Sequence, residues 1–138
     1  MSEAVLDASV VLKWFHSEGE AHADAALALR RQFEAGELRV LAPPLLWLEI
    51  LNVAARRWRW PRAQLERLAE TLPALGFELM EPELPPLARW SAEGLTAYDA
   101  AYVAVAEQAG SRLITDDAEI VRTAPDFAIA LTSVDREL

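Results

Sequence analysis

Five short apolar runs, separated by longer segments with helical periodicity, constrain the fold of this chain most strongly. The runs cover residues 4–6, 38–41, 77–80, 112–115 and 128–132. A strand that is apolar on both faces must be covered on both faces, which is typical of a parallel sheet between layers of helices. The pattern therefore predicts an α/β domain with a mostly parallel central sheet of about five strands.

Glycines and prolines mark the ends of the predicted helices. Glycine is common just past a helix end, and proline is common at a helix start. Four glycines fall where helical patterns end, at Gly36, Gly76, Gly94 and Gly110. Five prolines fall where helical patterns begin, at Pro43, Pro44, Pro61, Pro85 and Pro86. Because no linker or internal repeat interrupts this spacing, we expect a single domain over residues 1–138.

The residue types present limit the metal chemistry. The chain has no cysteine and only two histidines, His16 and His22. A thiolate site is therefore excluded, and the pair of histidines without a zinc motif argues against a zinc enzyme. Any metal site would have to use oxygen ligands.

The charge balance limits the possible partners. The chain carries 22 acidic and 13 basic residues, a net charge of -9. This balance argues against a generally basic surface for nucleic acid, so such a contact must be local. No apolar run approaches the length of a membrane span, and the first residues do not resemble a secretory signal. We therefore expect a cytoplasmic protein that does not contact membranes.

Two acids stand in apolar surroundings in the first half of the chain. Asp7 directly follows the first predicted strand, where it could cap the next helix or serve a functional site. Glu49 lies in an apolar helical pattern and is followed at helical spacing by Asn52 and Arg56. These three residues could also form an ordinary solvated stripe.

Three more acids occur in the second half. Asp99 falls on the first turn of a helix that is apolar on every face, after Thr96, which fits a capping box. Asp116 and Asp117 follow a predicted strand. Asp116 with Glu119 fits a helix cap and its reciprocal partner, which would leave Asp117 on the first helical turn.

These positions are correlated in a parallel α/β fold. Asp7 and Asp117 follow strands and Asp99 opens a helix, so all three are expected at one edge of the sheet. Carboxylates that converge in a partly dry cleft repel one another, and a divalent cation would relieve the repulsion. Carboxylate and water ligands suit Mg²⁺ or Mn²⁺, which polarise phosphoryl oxygens and activate water. The predicted chemistry is phosphodiester hydrolysis.

Four segments resemble the motifs of a known family. The segments are VLDASVVLKWF, PPLLWLEILNVAARR, LTAYDAAYVAVAEQAG and LITDD, in that order. They resemble PIN-domain ribonucleases, and in particular the VapC-like toxins of type II toxin–antitoxin systems. The resemblance implies a PIN-like three-layer α/β/α sandwich and a Mg²⁺- or Mn²⁺-dependent endoribonuclease. It also implies an RNA substrate, a small cognate antitoxin and a homodimer.

The resemblance also implies roles for individual residues. The catalytic and metal-binding carboxylates would be Asp7, Glu49, Asp99 and Asp117. Supporting groups around them would be Ser9, Asn52, Thr115 and Asp116. The last motif of the family is Thr, any residue, Asp, which selects Thr115 and Asp117. A carboxylate at Asp116 departs from that pattern and could share the metal or replace Asp117.

One dense basic cluster interrupts the acidic chain. The segment ARRWRWPR contains Arg56, Arg57, Arg59 and Arg62, with Trp58 and Trp60 between them. The arginines could bind RNA phosphates while the tryptophans stack on bases. The alternative is a helix end whose tryptophans pack in the core or at a dimer contact.

Other interpretations of the acids remain open. A haloacid-dehalogenase-type phosphatase would need a second Asp where Ser9 stands, and no phosphate-binding P-loop is present. A receiver-like signalling domain usually carries a lysine after its last strand, whereas the only lysine here is Lys13. A PIN-fold binding module without catalytic activity is the third alternative.

Overall fold

One parallel sheet forms the centre of the molecule. The computed structural model describes residues 2–134. Its strands are β1 (Ser2–Leu6), β2 (Leu38–Ala42), β3 (Glu78–Leu79), β4 (Leu113–Thr115) and β5 (Ala128–Ala130). They are arranged in the order β3-β2-β1-β4-β5, and every neighbouring pair is parallel. The predicted five-stranded parallel sheet is therefore confirmed.

Three of the predicted strands are shorter than their apolar runs: β4 begins at Leu113, one residue after the start of its run, and the other two lose two residues each. Only Glu78 and Leu79 of the third run belong to β3, which is an edge strand. The fifth run leaves the sheet after Ala130, where a 3₁₀ turn (Leu131–Ser133) begins. In both places the apolar residues beyond the strand still pack against the core.

Seven α-helices within residues 2–134 cover the sheet. They are α1 (Ala8–Phe15), α2 (Ala23–Glu34), α3 (Leu45–Arg56), α4 (Arg62–Ala74), α5 (Leu84–Ala92), α6 (Ala97–Ala109) and α7 (Ala118–Thr123). Crossovers between parallel strands are right-handed, so α1–α4 cover one face and α5–α7 cover the other. The result is a three-layer α/β/α sandwich. None of these helices is long and apolar enough to cross a membrane.

Helix α6 lies against the middle of the sheet. It contacts β1, β2 and β4, and its residues 100–106 are all buried. Four of those seven residues are alanine, whose small side chains let the helix approach the strands closely. Its first turn is capped by Thr96, whose Oγ1 accepts the Asp99 N–H at 3.1 Å, as predicted. It ends at Gly110 in the left-handed conformation, with φ of 64°.

The strand order places a crevice beside β1. From β1 the chain proceeds towards β2 on one side, and it later returns to β4 on the other. The connections therefore diverge at the carboxyl ends of β1 and β4, which is where open parallel sheets bind ligands. Asp7 directly follows β1, and Asp116 and Asp117 directly follow β4.

Candidate active site

A small pocket at this crevice brings the four predicted carboxylates together. Its volume is about 100 Å³. The acids that line it are Asp7, Glu49, Asp99 and Asp117, and the other lining residues are Ala8, Ser9, Tyr102 and Ile120. The acids come from four different elements, so the pocket exists only in the folded chain.

Asp7 is held by two hydroxyl groups. Its main-chain carbonyl accepts the first N–H groups of α1, from Val10 at 3.2 Å and Val11 at 3.1 Å. Its side chain makes no capping bond. Instead, the Ser9 hydroxyl donates to Oδ1 at 2.6 Å and the Thr115 hydroxyl donates to Oδ2 at 2.5 Å. The residue stands at the N-cap, while its carboxylate is oriented within the pocket.

Burial makes ionised Asp7 costly. Its side chain is only 5% exposed. Burial raises the pKa of this carboxyl to about 6, and the two hydroxyl hydrogen bonds offset only part of that effect. Repulsion from Glu49 and Asp99 raises the pKa further. A cation in the pocket would remove this repulsion.

Glu49 faces the pocket from α3 and is hydrogen-bonded to Tyr102. The Tyr102 hydroxyl donates to Glu49 Oε1. Burial raises the pKa of Glu49, the Tyr102 hydrogen bond lowers it, and Asp99 raises it again. Burial and the neighbouring acids also raise the pKa of the Tyr102 hydroxyl, which therefore remains a donor.

Tyr102 is a member of the pocket that the sequence motifs do not single out. It lies on α6 one turn after Asp99, in a helix that otherwise reads as apolar core. A buried tyrosine hydroxyl usually finds a hydrogen-bond partner. A tyrosine three residues after Asp99 in a buried helix therefore indicates a polar contact near this acid. Its partner could not be named because Glu49 is 53 residues away in sequence.

Asp99 occupies the first turn of α6, and its side chain is partly buried. Burial is the largest cause of the raised pKa of this carboxyl, followed by repulsion from Asp117. The hydrogen bond with Thr96 lowers the pKa in part, and Glu119 raises it. Asp99 therefore interacts electrostatically with acids on both sides of the pocket.

Asp117, rather than Asp116, caps α7. Its Oδ1 accepts the N–H groups of Glu119 at 2.9 Å and Ile120 at 3.4 Å. The prediction that Asp116 is the cap and Asp117 lies on the first helical turn is therefore wrong, since α7 begins only at Ala118. The capping bonds use one oxygen, so the same carboxylate can cap the helix and line the pocket.

Asp116 does not line the pocket. Its Oδ1 lies 2.8 Å from His22 Nδ1, and its Oδ2 lies 3.4 Å from Lys13 Nζ. Its main-chain N–H donates to the Ser9 hydroxyl oxygen at 2.8 Å. These two side-chain partners explain why Asp116 is drawn away from the helix that it was predicted to cap.

The other predicted supporting residues differ in position. Ser9 and Thr115 contact Asp7 directly, and Thr115 is fully buried. Asn52 is exposed on α3 and lines a neighbouring open groove with Glu49 and Tyr98. It does not reach the carboxylate pocket.

The basic cluster lies at the end of α3 and the start of α4. The four arginines are exposed, and Arg62 is paired with Glu66 at 2.8 Å. Trp58 stacks on His16 with ring centroids 4.8 Å apart and contacts Trp60 at 5.2 Å. Both tryptophans are half-buried against the core. The arginines are therefore open to solvent, whereas the tryptophans are engaged in packing.

The donor set of the pocket fits a hydrated, oxygen-preferring cation. Carboxylate and hydroxyl oxygens line it, and no histidine does. Within residues 2–134, no group of three or more His, Cys, Asp or Glu side chains is arranged to hold a metal ion. Mg²⁺ commonly keeps several water ligands and takes only one or two protein carboxylates, so it does not need a closed cage.

Comparison with known proteins gives a family and several solved structures with the same fold. The model of the PIN domain family matches residues 4–125. No curated protein matches the chain in sequence. The crystal structure of PAE2754 from Pyrobaculum aerophilum is 26% identical, with a TM-score of 0.67 over 96% of this chain and 92% of that chain.

Two further solved structures share the fold. A toxin-antitoxin complex from Klebsiella pneumoniae contains a chain that is 21% identical, with a TM-score of 0.62 over 93% of this chain and 97% of that chain. The structure of FitAB bound to an IR36 DNA fragment contains a chain that is 16% identical, with a TM-score of 0.65 over 93% of this chain and 94% of that chain.

Proposed function

This chain belongs to the PIN domain family, whose members are generally nucleases, and we propose that it is a metal-dependent endoribonuclease that acts as a VapC-like toxin. The observation that carries the proposal is the single pocket lined by Asp7, Glu49, Asp99 and Asp117. Burial, with repulsion from neighbouring acids adding to it, raises the pKa values of Asp7, Glu49 and Asp99. Such a pocket is suited to bind a divalent cation.

In the proposed mechanism, Asp7, Asp99 and Asp117 would hold Mg²⁺ or Mn²⁺. Such an ion, when bound, would supply the charge that polarises a phosphoryl oxygen and acidifies water. Ser9 and Thr115 fix the orientation of Asp7 through their hydroxyl groups. In the remaining step, water attacks the phosphorus atom and the P–O bond to one ribose oxygen breaks. This step requires a group that orients the water and accepts its proton.

Glu49 is the proposed group for that step. Tyr102 fixes one of its carboxylate oxygens, which leaves Oε2 to accept a hydrogen bond or a proton from the attacking water. The raised pKa of Glu49 brings its basicity closer to that needed near neutral pH. Because Tyr102 donates its hydrogen bond to the ionised form, it keeps Glu49 available as a base.

The proposed RNA contacts lie along α3. Glu49, Asn52 and Arg56 follow one another at helical spacing, so they share one face of the helix. The helix ends at Arg56, and the next arginines along the chain, Arg57 and Arg59, are also exposed. In an acidic chain, these arginines supply the local positive charge that a phosphate backbone needs.

The proposed protein partners are a small cognate antitoxin and a second copy of the chain, in the cytoplasm. Two large apolar side chains are exposed in the groove that Glu49 also lines, with Leu48 67% and Tyr98 63% exposed. Leu48 and Tyr98 border an apolar groove of about 630 Å³. Exposed apolar patches of this kind mark interaction surfaces in soluble proteins.

RNA cleavage by the purified protein tests this function. Wild type should cleave RNA with Mg²⁺ or Mn²⁺ and stop when EDTA is added, whereas Asp7→Asn and Asp99→Asn should lose at least about 100-fold in rate. Equal cleavage by wild type and both variants would contradict the assignment. Metal binding without cleavage would favour a catalytically inactive PIN-fold binding module.

The receiver-like alternative is wrong on topology. Receiver domains have the flavodoxin-like strand order 2-1-3-4-5. The order here is β3-β2-β1-β4-β5. The only lysine, Lys13, is moreover on α1 rather than after the last strand.

A further inference from the structure

The only lysine of the chain is buried beside the proposed active site. Lys13 lies on α1 with its side chain 11% exposed, and its Nζ is 3.4 Å from Oδ2 of Asp116, which is 20% exposed. A lysine at this depth is costly unless its charge is paired. The sequence offers no reason for this pairing, because Lys13 and Asp116 are far apart along the chain.

The second oxygen of Asp116 is also engaged. It lies 2.8 Å from His22 Nδ1. His22 occupies the N-cap position of α2 in the left-handed conformation, with φ of 62°. Asp116 therefore ties α1 and the start of α2 to the segment that follows β4.

Residues 116 and 117 are linked to Asp7 through their main-chain N–H groups, which donate to the hydroxyls of Ser9 and Thr115. The N–H of Asp116 donates to Ser9 Oγ at 2.8 Å, and Ser9 donates to Asp7 Oδ1 at 2.6 Å. The N–H of Asp117 donates to Thr115 Oγ1 at 3.1 Å, and Thr115 donates to Asp7 Oδ2 at 2.5 Å. Each hydroxyl can thus use its own proton for Asp7, because it accepts a neighbouring N–H.

We propose that Lys13 and His22 are positioning residues that bind the two oxygens of Asp116 and keep its carboxylate out of the pocket. They thereby maintain the hydrogen bonds from the N–H groups of residues 116 and 117 to Ser9 and Thr115. Asp116 is then the counter-ion of Lys13 and not a metal ligand. A fifth carboxylate turned towards the pocket would add to the repulsion among the four already there. The proposal rests on the proposed metal-dependent nuclease function and concerns what orders its pocket.

Mn²⁺ titration and RNA-cleavage kinetics of full-length variants test the proposal. Lys13→Met should weaken Mn²⁺ binding and lower kcat by about tenfold each, in the range found for groups that orient metal ligands, with KM within about twofold. Lys13→Arg should restore both to within about threefold of wild type, because arginine keeps the ion pair. Glu34→Gln, which removes an exposed ion pair with Arg30, is the control and should change neither.

The double variant Lys13→Met/Asp116→Asn distinguishes whether Asp116 is the counter-ion of Lys13 or a metal ligand. Asp116→Asn breaks the same ion pair and should therefore weaken Mn²⁺ binding by no more than Lys13→Met does, and far less than Asp117→Asn does. The double variant should bind better than Lys13→Met alone, since no unpaired charge remains. The double variant also keeps the test decisive if Lys13→Met does not fold.

Three results would overturn the proposal. They are a folded Lys13→Met with wild-type affinity and kcat, a loss in Asp116→Asn as large as in Asp117→Asn, and losses that multiply in the double variant. A wild type that neither binds Mn²⁺ nor cleaves RNA would overturn the nuclease function itself, and this proposal with it.

Discussion

At the scale of single residues, Asp7 has two separable duties. Its main chain begins α1, while its carboxylate is placed in the pocket by Ser9 and Thr115. The first duty depends only on the backbone and would survive many substitutions. The second requires a charge that burial and neighbouring acids disfavour, and this cost can be measured in the metal-free protein.

In EDTA, the pH dependence of the free energy of unfolding should reveal what it costs to ionise buried Asp7. The native pKa of Asp7 is about 6 against an ordinary value of 3.8. Between these values the folded state binds a proton that the unfolded state has lost, so the free energy of unfolding should fall as pH rises through that window. Glu49 and Asp99, whose pKa values are also raised, act in the same direction.

Urea unfolding of wild type and Asp7→Asn from pH 4 to pH 7 isolates this contribution. The stability of Asp7→Asn relative to wild type should rise with pH, by up to about 3 kcal/mol over the window. A difference that stays constant with pH would show that Asp7 titrates normally.

Tyr102 is expected to matter through Glu49. Tyr102→Phe removes the hydrogen bond that favours ionised Glu49, so the pKa of Glu49 should rise further. The acidic limb of the pH–rate profile should move to higher pH, and the free energy of unfolding should change by only about 1 kcal/mol. An unshifted profile with full activity would mean that Glu49 does not depend on this hydrogen bond.

At the scale of elements, the six-residue helix α7 depends on the same side chain that lines the pocket. Asp117 caps this helix through Oδ1. Asparagine is as good an N-cap as aspartate, whereas alanine is not. The two substitutions therefore separate the structural duty from the chemical one.

Asp117→Asn should keep the stability of wild type and lose Mn²⁺ binding and cleavage. Asp117→Ala should lose both functions and be less stable by about 1 kcal/mol. Thermal melting in EDTA and Mn²⁺ titration of the two variants provide the measurements. Normal Mn²⁺ affinity in Asp117→Asn would leave Asp117 as a cap only.

Local signals predicted the elements well, and distant contacts explain the differences. The ends of α2, α4, α5 and α6 fall just before Gly36, Gly76, Gly94 and Gly110, because glycine adopts the left-handed conformation at a helix end without a Cβ clash. The cap of α7 was misplaced by one residue because Asp116 is engaged by His22, which lies 94 residues away. No local pattern contains that contact.

At the scale of the whole molecule, the strand order turns scattered acids into one pocket. Asp7 could be expected near Asp117 because both follow parallel strands, and β1 and β4 are indeed neighbours. The pairing of Glu49 with Tyr102 depends on how α3 and α6 meet at the sheet edge. No local pattern in the sequence reveals this contact. The pocket's members could thus be predicted from position, but their hydrogen-bond partners could not.

The basic cluster in this otherwise acidic chain predicts which surface binds RNA. Replacing Arg56, Arg57 and Arg59 by Gln should raise KM by about tenfold and leave kcat nearly unchanged. The salt dependence of binding should also weaken, by roughly one unit of slope for each phosphate that the variant no longer neutralises. Arg31→Gln, an exposed arginine on α2, is the control. Equal salt slopes in wild type and the triple variant would exclude this surface as the RNA site.

The central claim is that Asp7, Asp99 and Asp117, with Glu49 in the same pocket, form one divalent-cation site, and calorimetric titration with Mn²⁺ tests it most directly. Wild type should bind Mn²⁺, and Asp99→Asn, which removes one charge at a partly buried position, should bind at least about tenfold more weakly while melting normally in EDTA. Equal Mn²⁺ affinity in wild type, Asp7→Asn and Asp99→Asn would contradict the claim.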